Sequence, residues 1–150
     1  MSLAARKMDS KRFVVTPEKI KRVLLIEDDK SLAEILKIII SDSFPQAKVD
    51  WAVNAEETFK YLNHTDSTSG NGTHPYDLVF TDIFLEGPAT GFDIWRLCRQ
   101  LYPDIPILVT SSLSQDELQL LLREDNEFPL YLQKPFSLDQ CKEVLMRAVE

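Results

Sequence analysis

A chain of 150 residues, 44% hydrophobic and 27% charged, is long enough for one domain with its own core and too apolar for a disordered segment. Its apolar runs, such as Val23-Leu24-Leu25-Ile26 and Ile38-Ile39-Ile40, are too short to cross a bilayer, and no apolar stretch follows the N-terminus. Neither membrane insertion nor export is expected, and the cytoplasm is the expected compartment. The net charge of −7 is uneven, because residues 1–22 hold seven Lys/Arg against two acids and leave the other 128 residues at −12. A basic extension over 1–20 is therefore expected ahead of a body that repels nucleic acid.

From residue 21 onward, strand-like and helix-like segments alternate. A run at 22–27 is followed by Leu32, Ile35, Leu36, Ile39 and Ile40 at helical spacing, with Ser31 and Glu34 at the spacing of a capping box. A second run at 48–53 leads to Asn54 and Glu57, a looser version of the same start signal. The segment 63–76 (NHTDSTSGNGTHPY) holds two of the four glycines and is expected to be a mobile surface loop, with His64 and His74 as solvated loop residues. A third run at 78–82 precedes a helical face of Phe92, Trp95, Leu97 and Leu101. A fourth at 105–110 precedes Leu118, Leu121 and Leu122, which start behind Ser114 and Glu117. The fifth, 130–133, precedes Leu138, Cys141, Val144, Leu145 and Val149, behind Ser137 and Gln140. Five βα units in alternation predict a doubly wound α/β domain, a five-stranded parallel sheet with helices on both faces. Cys98 and Cys141 lie in helix-like segments without a Cys or His at metal-ligand spacing, so both are expected as reduced, buried thiols.

Ligands of an open parallel sheet bind beyond the carboxyl ends of its strands, beside the point where the strand order reverses. In this chain those ends read Glu27-Asp28-Asp29, Asp82, Thr110-Ser111-Ser112 and Lys134-Pro135. Asp82 closes the apolar run Leu78-Val79-Phe80, a costly place for a carboxylate without a cation or a task. Carboxylates packed together repel one another unless a cation compensates, and a site of oxygen donors alone suits Mg2+. Beside such an ion, Asp82 is a candidate nucleophile for a phosphoryl group, with a lysine and a hydroxyl to stabilise the transferred charge. Asp29 is equally suited to capping the following helix.

In the order "VLLIEDD" (23–29), "DLVFTDIFLEG" (77–87), "GFDIW" (91–95), "IPILVTSS" (105–112) and "LYLQKPF" (130–136), the chain over 21–150 resembles the receiver domains of two-component response regulators. The resemblance implies a flavodoxin-like (βα)5 fold with strand order 2-1-3-4-5. It implies Asp82 as phosphoacceptor, a Mg2+ site of Glu27, Asp28, Asp82 and the backbone carbonyl of Phe84, and Ser111 and Lys134 on the phosphoryl group. It further implies a cis bond before Pro135 and Tyr131 as the aromatic whose rotamer follows activation. The implied donor is a histidine kinase or a histidine phosphotransfer protein. The implied output is changed affinity for a downstream target or effector domain through helix four, strand five and helix five, with homodimer formation on phosphorylation as one form of it.

The chain departs from the family pattern in two places. Glu86 stands where a proline is usual, which predicts an altered loop with extra negative charge, and "NEFPLYL" lacks the glycine usual before strand five, which bears on the surface near Phe128. Phe84 and Leu113 fall on the two variable positions that govern access of water, and both being apolar predicts slow loss of the phosphoryl group. A non-switching interaction scaffold is the principal alternative. A phosphohydrolase is disfavoured, because Phe84 cannot act as a general acid two residues beyond the nucleophile.

Overall fold

The computed structural model describes residues 16–64, 75–85, 87 and 90–150. After a 3-10 turn (Pro17–Lys19), five units follow: β1 (Arg22–Ile26) and α1 (Lys30–Ser43), β2 (Lys48–Ala52) and α2 (Ala55–His64), β3 (Leu78–Asp82) and α3 (Gly91–Leu101), β4 (Ile107–Ser111) and α4 (Gln115–Leu121), β5 (Leu130–Gln133) and α5 (Leu138–Ala148). The strands form one sheet in the order β2-β1-β3-β4-β5, every pair parallel. This is the doubly wound flavodoxin-like arrangement that the sequence predicts.

Side-chain alternation sorts the strand residues between two layers. Val23, Leu25, Leu78, Phe80, Leu108 and Leu132 pack with α1 and α5, whereas Leu24, Ile26, Val79, Val109 and Tyr131 pack with α2, α3 and α4. With both faces covered, β3 and β4 are buried throughout, so they read as continuous apolar runs rather than alternating ones. Asp77 anchors the opposite edge, where its Oδ2 accepts from the backbone N–H groups of Lys21 and Arg22 at 2.8 and 3.0 Å.

Several local expectations are corrected. β1 and β2 each end one residue early, and β4 is shifted to include Ser111. The N-cap of α1 is Asp29, which accepts from Leu32 N–H at 3.2 Å, and Ser31 lies inside the helix. Ser114 with Glu117 and Ser137 with Gln140 do form capping boxes. Thr90 with Asp93 adds one at the start of α3 that the sequence reading omitted. Ile35, Leu101, Leu121 and Leu138, assigned to apolar helix faces, are more than half exposed. Within 63–76, α2 continues to His64, and Tyr76 is fully buried, its hydroxyl donating to Asp50 at 2.7 Å; residues 65–74, His74 included, lie outside the described residues. Cys98 and Cys141 are buried free thiols, each raised to about 11 by burial.

Candidate functional site: an acidic cleft at the carboxyl edge of the sheet

The order reverses between β1 and β3, because the chain steps outward to β2 and then crosses back to β3 on the other side of β1. Beyond that point the carboxyl groups of Glu27, Asp28 and Asp82 bring ligand atoms within 4.8 Å of one another. Glu27 and Asp82 are buried and Asp28 is exposed, so the cluster has a closed floor and an open mouth.

Two strand ends carry the cluster, that of β1 for Glu27 and Asp28 and that of β3 for Asp82. Glu27 follows β1 directly, and its N–H donates to Ala52 O at 3.0 Å. Its Oε2 accepts from Asp29 N–H at 3.1 Å and its Oε1 from Lys134 Nζ at 3.3 Å. Burial pushes the Glu27 carboxyl up to about 7, with the neighbouring Asp82 charge adding to the rise and the Asp29 N–H and Lys134 opposing it. Asp82 ends β3, and its Oδ1 accepts from Phe84 N–H at 3.3 Å while its Oδ2 accepts from Lys134 Nζ at 3.0 Å. Burial works against the Lys134 ammonium, but the hydrogen bond and charge of Asp82 and the charge of Glu27 outweigh it, and the pKa stands above the ordinary lysine value. The peptide between Lys134 and Pro135 is cis.

Gly91 lets α3 begin against this floor. Its N–H donates to Ile83 O at 2.9 Å, and a Cβ at that position would run into the Asp82 carbonyl. Glu86 lies outside the described residues.

The hydroxyls at the end of β4 divide by their bonds. Thr110 Oγ1 donates to Leu132 O at 2.6 Å inside the sheet and is unavailable to the cleft. Ser111 Oγ lies 2.6 Å from Tyr131 Oη and accepts from Leu113 N–H at 3.1 Å, so its hydrogen bonds run toward β5 and the start of α4. Tyr131 is buried, its hydroxyl 2.6 Å from Leu113 O and 3.1 Å from Ser111 O, and burial raises its pKa.

Beside Lys134 lies a feature that sequence reasoning missed. An apolar groove of about 690 Å³ runs between α1 and the β5–α5 connection, lined by Leu32, Ile35, Ile38, Phe136 and Leu138 and reaching Ser112 and Lys134. Ile38 is 70% exposed, a large value for an isoleucine of an amphipathic helix.

The cleft offers oxygen donors at its mouth, an ammonium on its floor and an apolar rim, a combination suited to a divalent cation and a transferred anionic group. Comparison with known proteins agrees. The sequence model described as "Response regulator receiver domain" matches residues 23–146, and the chain belongs to that family, a signalling module of two-component systems. Among curated relatives, the putative response regulator NtrX-like of Rickettsia bellii is 26% identical over 129 residues, covering 85% of this chain and 24% of that protein. The regulatory protein VanRB of Enterococcus faecalis is 30% identical over 130 residues, covering 86% and 50%. The chain thus spans about a quarter to a half of the length of these relatives. The non-phosphorylated HemR receiver domain of Leptospira biflexa superposes with a TM-score of 0.64 at 26% identity, covering 87% of this chain and 94% of that one. Among the described residues no helix is long and apolar enough to cross a membrane.

Proposed function

We propose that residues 21–150 act as a phosphoryl-accepting switch, with 1–20 as a basic extension. Asp82 takes the group from a histidine kinase or phosphotransfer protein, and the domain is no turnover enzyme. The observation that carries this reading is the Lys134 ammonium set between Asp82 and Glu27, at 3.0 and 3.3 Å, on the floor of a three-carboxylate cleft. Glu27, Asp28, Asp82 and the Phe84 carbonyl are the groups to hold Mg2+. Bound there, the ion would supply positive charge against the carboxylates and the incoming phosphoryl oxygens.

A carboxylate oxygen of Asp82 attacks the phosphorus of a phosphohistidine, the P–N bond breaks, and the imidazole leaves with its electron pair and takes a proton from solvent. Lys134, released from Asp82 Oδ2, follows the charge to a phosphoryl oxygen. Ser111 supplies a donor, and its hydroxyl has one proton to give. Before transfer, Tyr131 donates to Leu113 O and Ser111 donates to Tyr131, the assignment that satisfies the 2.6 Å contacts with one proton each. Once Ser111 turns its proton to the phosphoryl group, its oxygen accepts from Tyr131, and Tyr131 gives up Leu113 O. Leu113 precedes Ser114, the N-cap of α4, so the charge on Asp82 is felt at the α4–β5–α5 surface. This surface meets the downstream target, and the cytoplasm is the compartment in which the donor is found.

Intact-protein mass after incubation with a small-molecule phosphodonor tests the reading. A phosphate adduct is expected on the parent with Mg2+, and none without Mg2+ or on Asp82→Ala. A folded parent that takes no adduct and binds no Mg2+ would leave the non-switching scaffold.

A further inference from the structure

Trp51 is half-buried on the α1 side of the sheet, and Lys37 of α1 places Nζ 4.5 Å from the centre of its ring. Its indole Nε1–H donates to the backbone carbonyl of Glu27 at 2.7 Å. That carbonyl sits at a particular point of the chain. The β1–β2 ladder ends at the pair Ile26 and Ala52, and α1 starts at Lys30, so Glu27, Asp28 and Asp29 form the connection that presents two of the three carboxylates. Glu27 N–H still finds a strand partner in Ala52 O, but its C=O lies past the last paired residue, and the indole supplies the donor that the ladder no longer offers. Among apolar side chains suited to this half-buried strand position, only tryptophan carries an N–H donor on a stiff ring.

We infer that Trp51 is a positioning residue of the acidic cleft: its indole hydrogen bond fixes the Glu27 peptide, and with it the turn that presents Glu27 and Asp28 to a divalent cation. The inference rests on reading the cleft as a Mg2+ site. Fixing the peptide complements the bonds that already hold the Glu27 side chain, because a carboxylate aimed by Asp29 N–H and Lys134 is only as well placed as the backbone that bears it. Lys37 over the ring holds the indole against α1, so β2, the turn and α1 meet at one side chain.

The test is calorimetric titration of Mg2+ alone into the full chain and into Trp51→Phe, which keeps an aromatic ring and loses the N–H. The expected result is a Kd raised roughly three- to tenfold, with little change in the metal-free unfolding midpoint. A lowered midpoint with unchanged Kd is the result of a purely structural role and would overturn the inference. In the unmutated protein the 15N–1H resonance of the Trp51 indole is expected to shift in step with Mg2+ occupancy, which decides the matter if Trp51→Phe does not fold. An indole that stays unmoved while Mg2+ binds counts against the inference and leaves the cleft reading intact. A parent chain that binds no Mg2+ removes both.

Discussion

On the proposed reading, the Phe84 side chain would set how long a phosphoryl group stays on Asp82. Its N–H holds Asp82 Oδ1 at 3.3 Å, so its Cβ is fixed beside the carboxylate, yet the ring is 54% exposed and has nothing with which to orient water. Phe84→Asn would place an amide at the same point, and loss of the phosphoryl group from Asp82 is expected to quicken roughly tenfold, the scale of one hydrogen bond gained by the attacking water. Decay of the adduct followed by mass spectrometry measures it, and an unchanged rate would count against Phe84 as the brake. At this scale the acids and Lys134 were legible, because polar residues ending apolar strands stand out against their surroundings. Ser111 was one of three adjacent hydroxyls by sequence, and only the bond of Thr110 to Leu132 O and the contact of Ser111 with Tyr131 separate them. Trp51 was invisible as a polar group. A strand pattern records its ring, whereas the partner of its N–H depends on where the β1–β2 pairing stops.

At the scale of the element, α1 is instructive because two residues compete to begin it. Ser31 with Glu34 has the capping-box spacing, but β1 ends at Ile26, the connection is only three residues long, and Asp29 reaches Leu32 N–H first. Asp29→Ala is expected to lower stability by about 1 kcal/mol, the usual worth of an N-cap, and Ser31→Ala to leave it within about 0.5 kcal/mol. Urea unfolding of the two variants distinguishes them, and the reverse order would restore Ser31 as the cap. Periodicity located all five strands and the helical faces of α1, α3, α4 and α5. It could not say how far each face would be covered. Ile35 obeys the helical spacing of α1 and still lies more than half exposed, because coverage depends on which neighbours the sheet order supplies.

For the whole molecule, the sheet order brings the ends of β1, β3, β4 and β5 to one edge, so residues as distant in sequence as Glu27 and Lys134 meet at 3.3 Å. That edge opens beside the apolar groove of Ile35, Ile38 and Leu138, and a macromolecular donor reaching Asp82 past Lys134 would lie over it. Ile38→Glu is expected to cut transfer from a histidine phosphotransfer protein that serves the parent by tenfold or more, the scale of a charge buried in an apolar contact. Phosphorylation by a small-molecule donor, which needs no such contact, is expected to be unchanged. Equal losses with both donors would show that the substitution had damaged the cleft instead. The sheet order itself was readable through the family resemblance, while the groove was not, since it forms between helix residues and a connection about a hundred positions later.

The two tryptophans stand on opposite layers of this sheet: Trp51 with the α1 and α5 side, Trp95 in α3 on the other. Each is stacked under a cation at 4.5 Å, Lys37 for the first and Arg99 for the second. Replacing either by phenylalanine therefore leaves a protein with a single tryptophan, which can be excited at wavelengths where the four tyrosines do not absorb. With Trp51 retained, the light emitted reports from beside the acidic turn. With Trp95 retained, it reports from the α3 layer, so the arrival of a cation and the response across the sheet can be timed separately without attaching a dye.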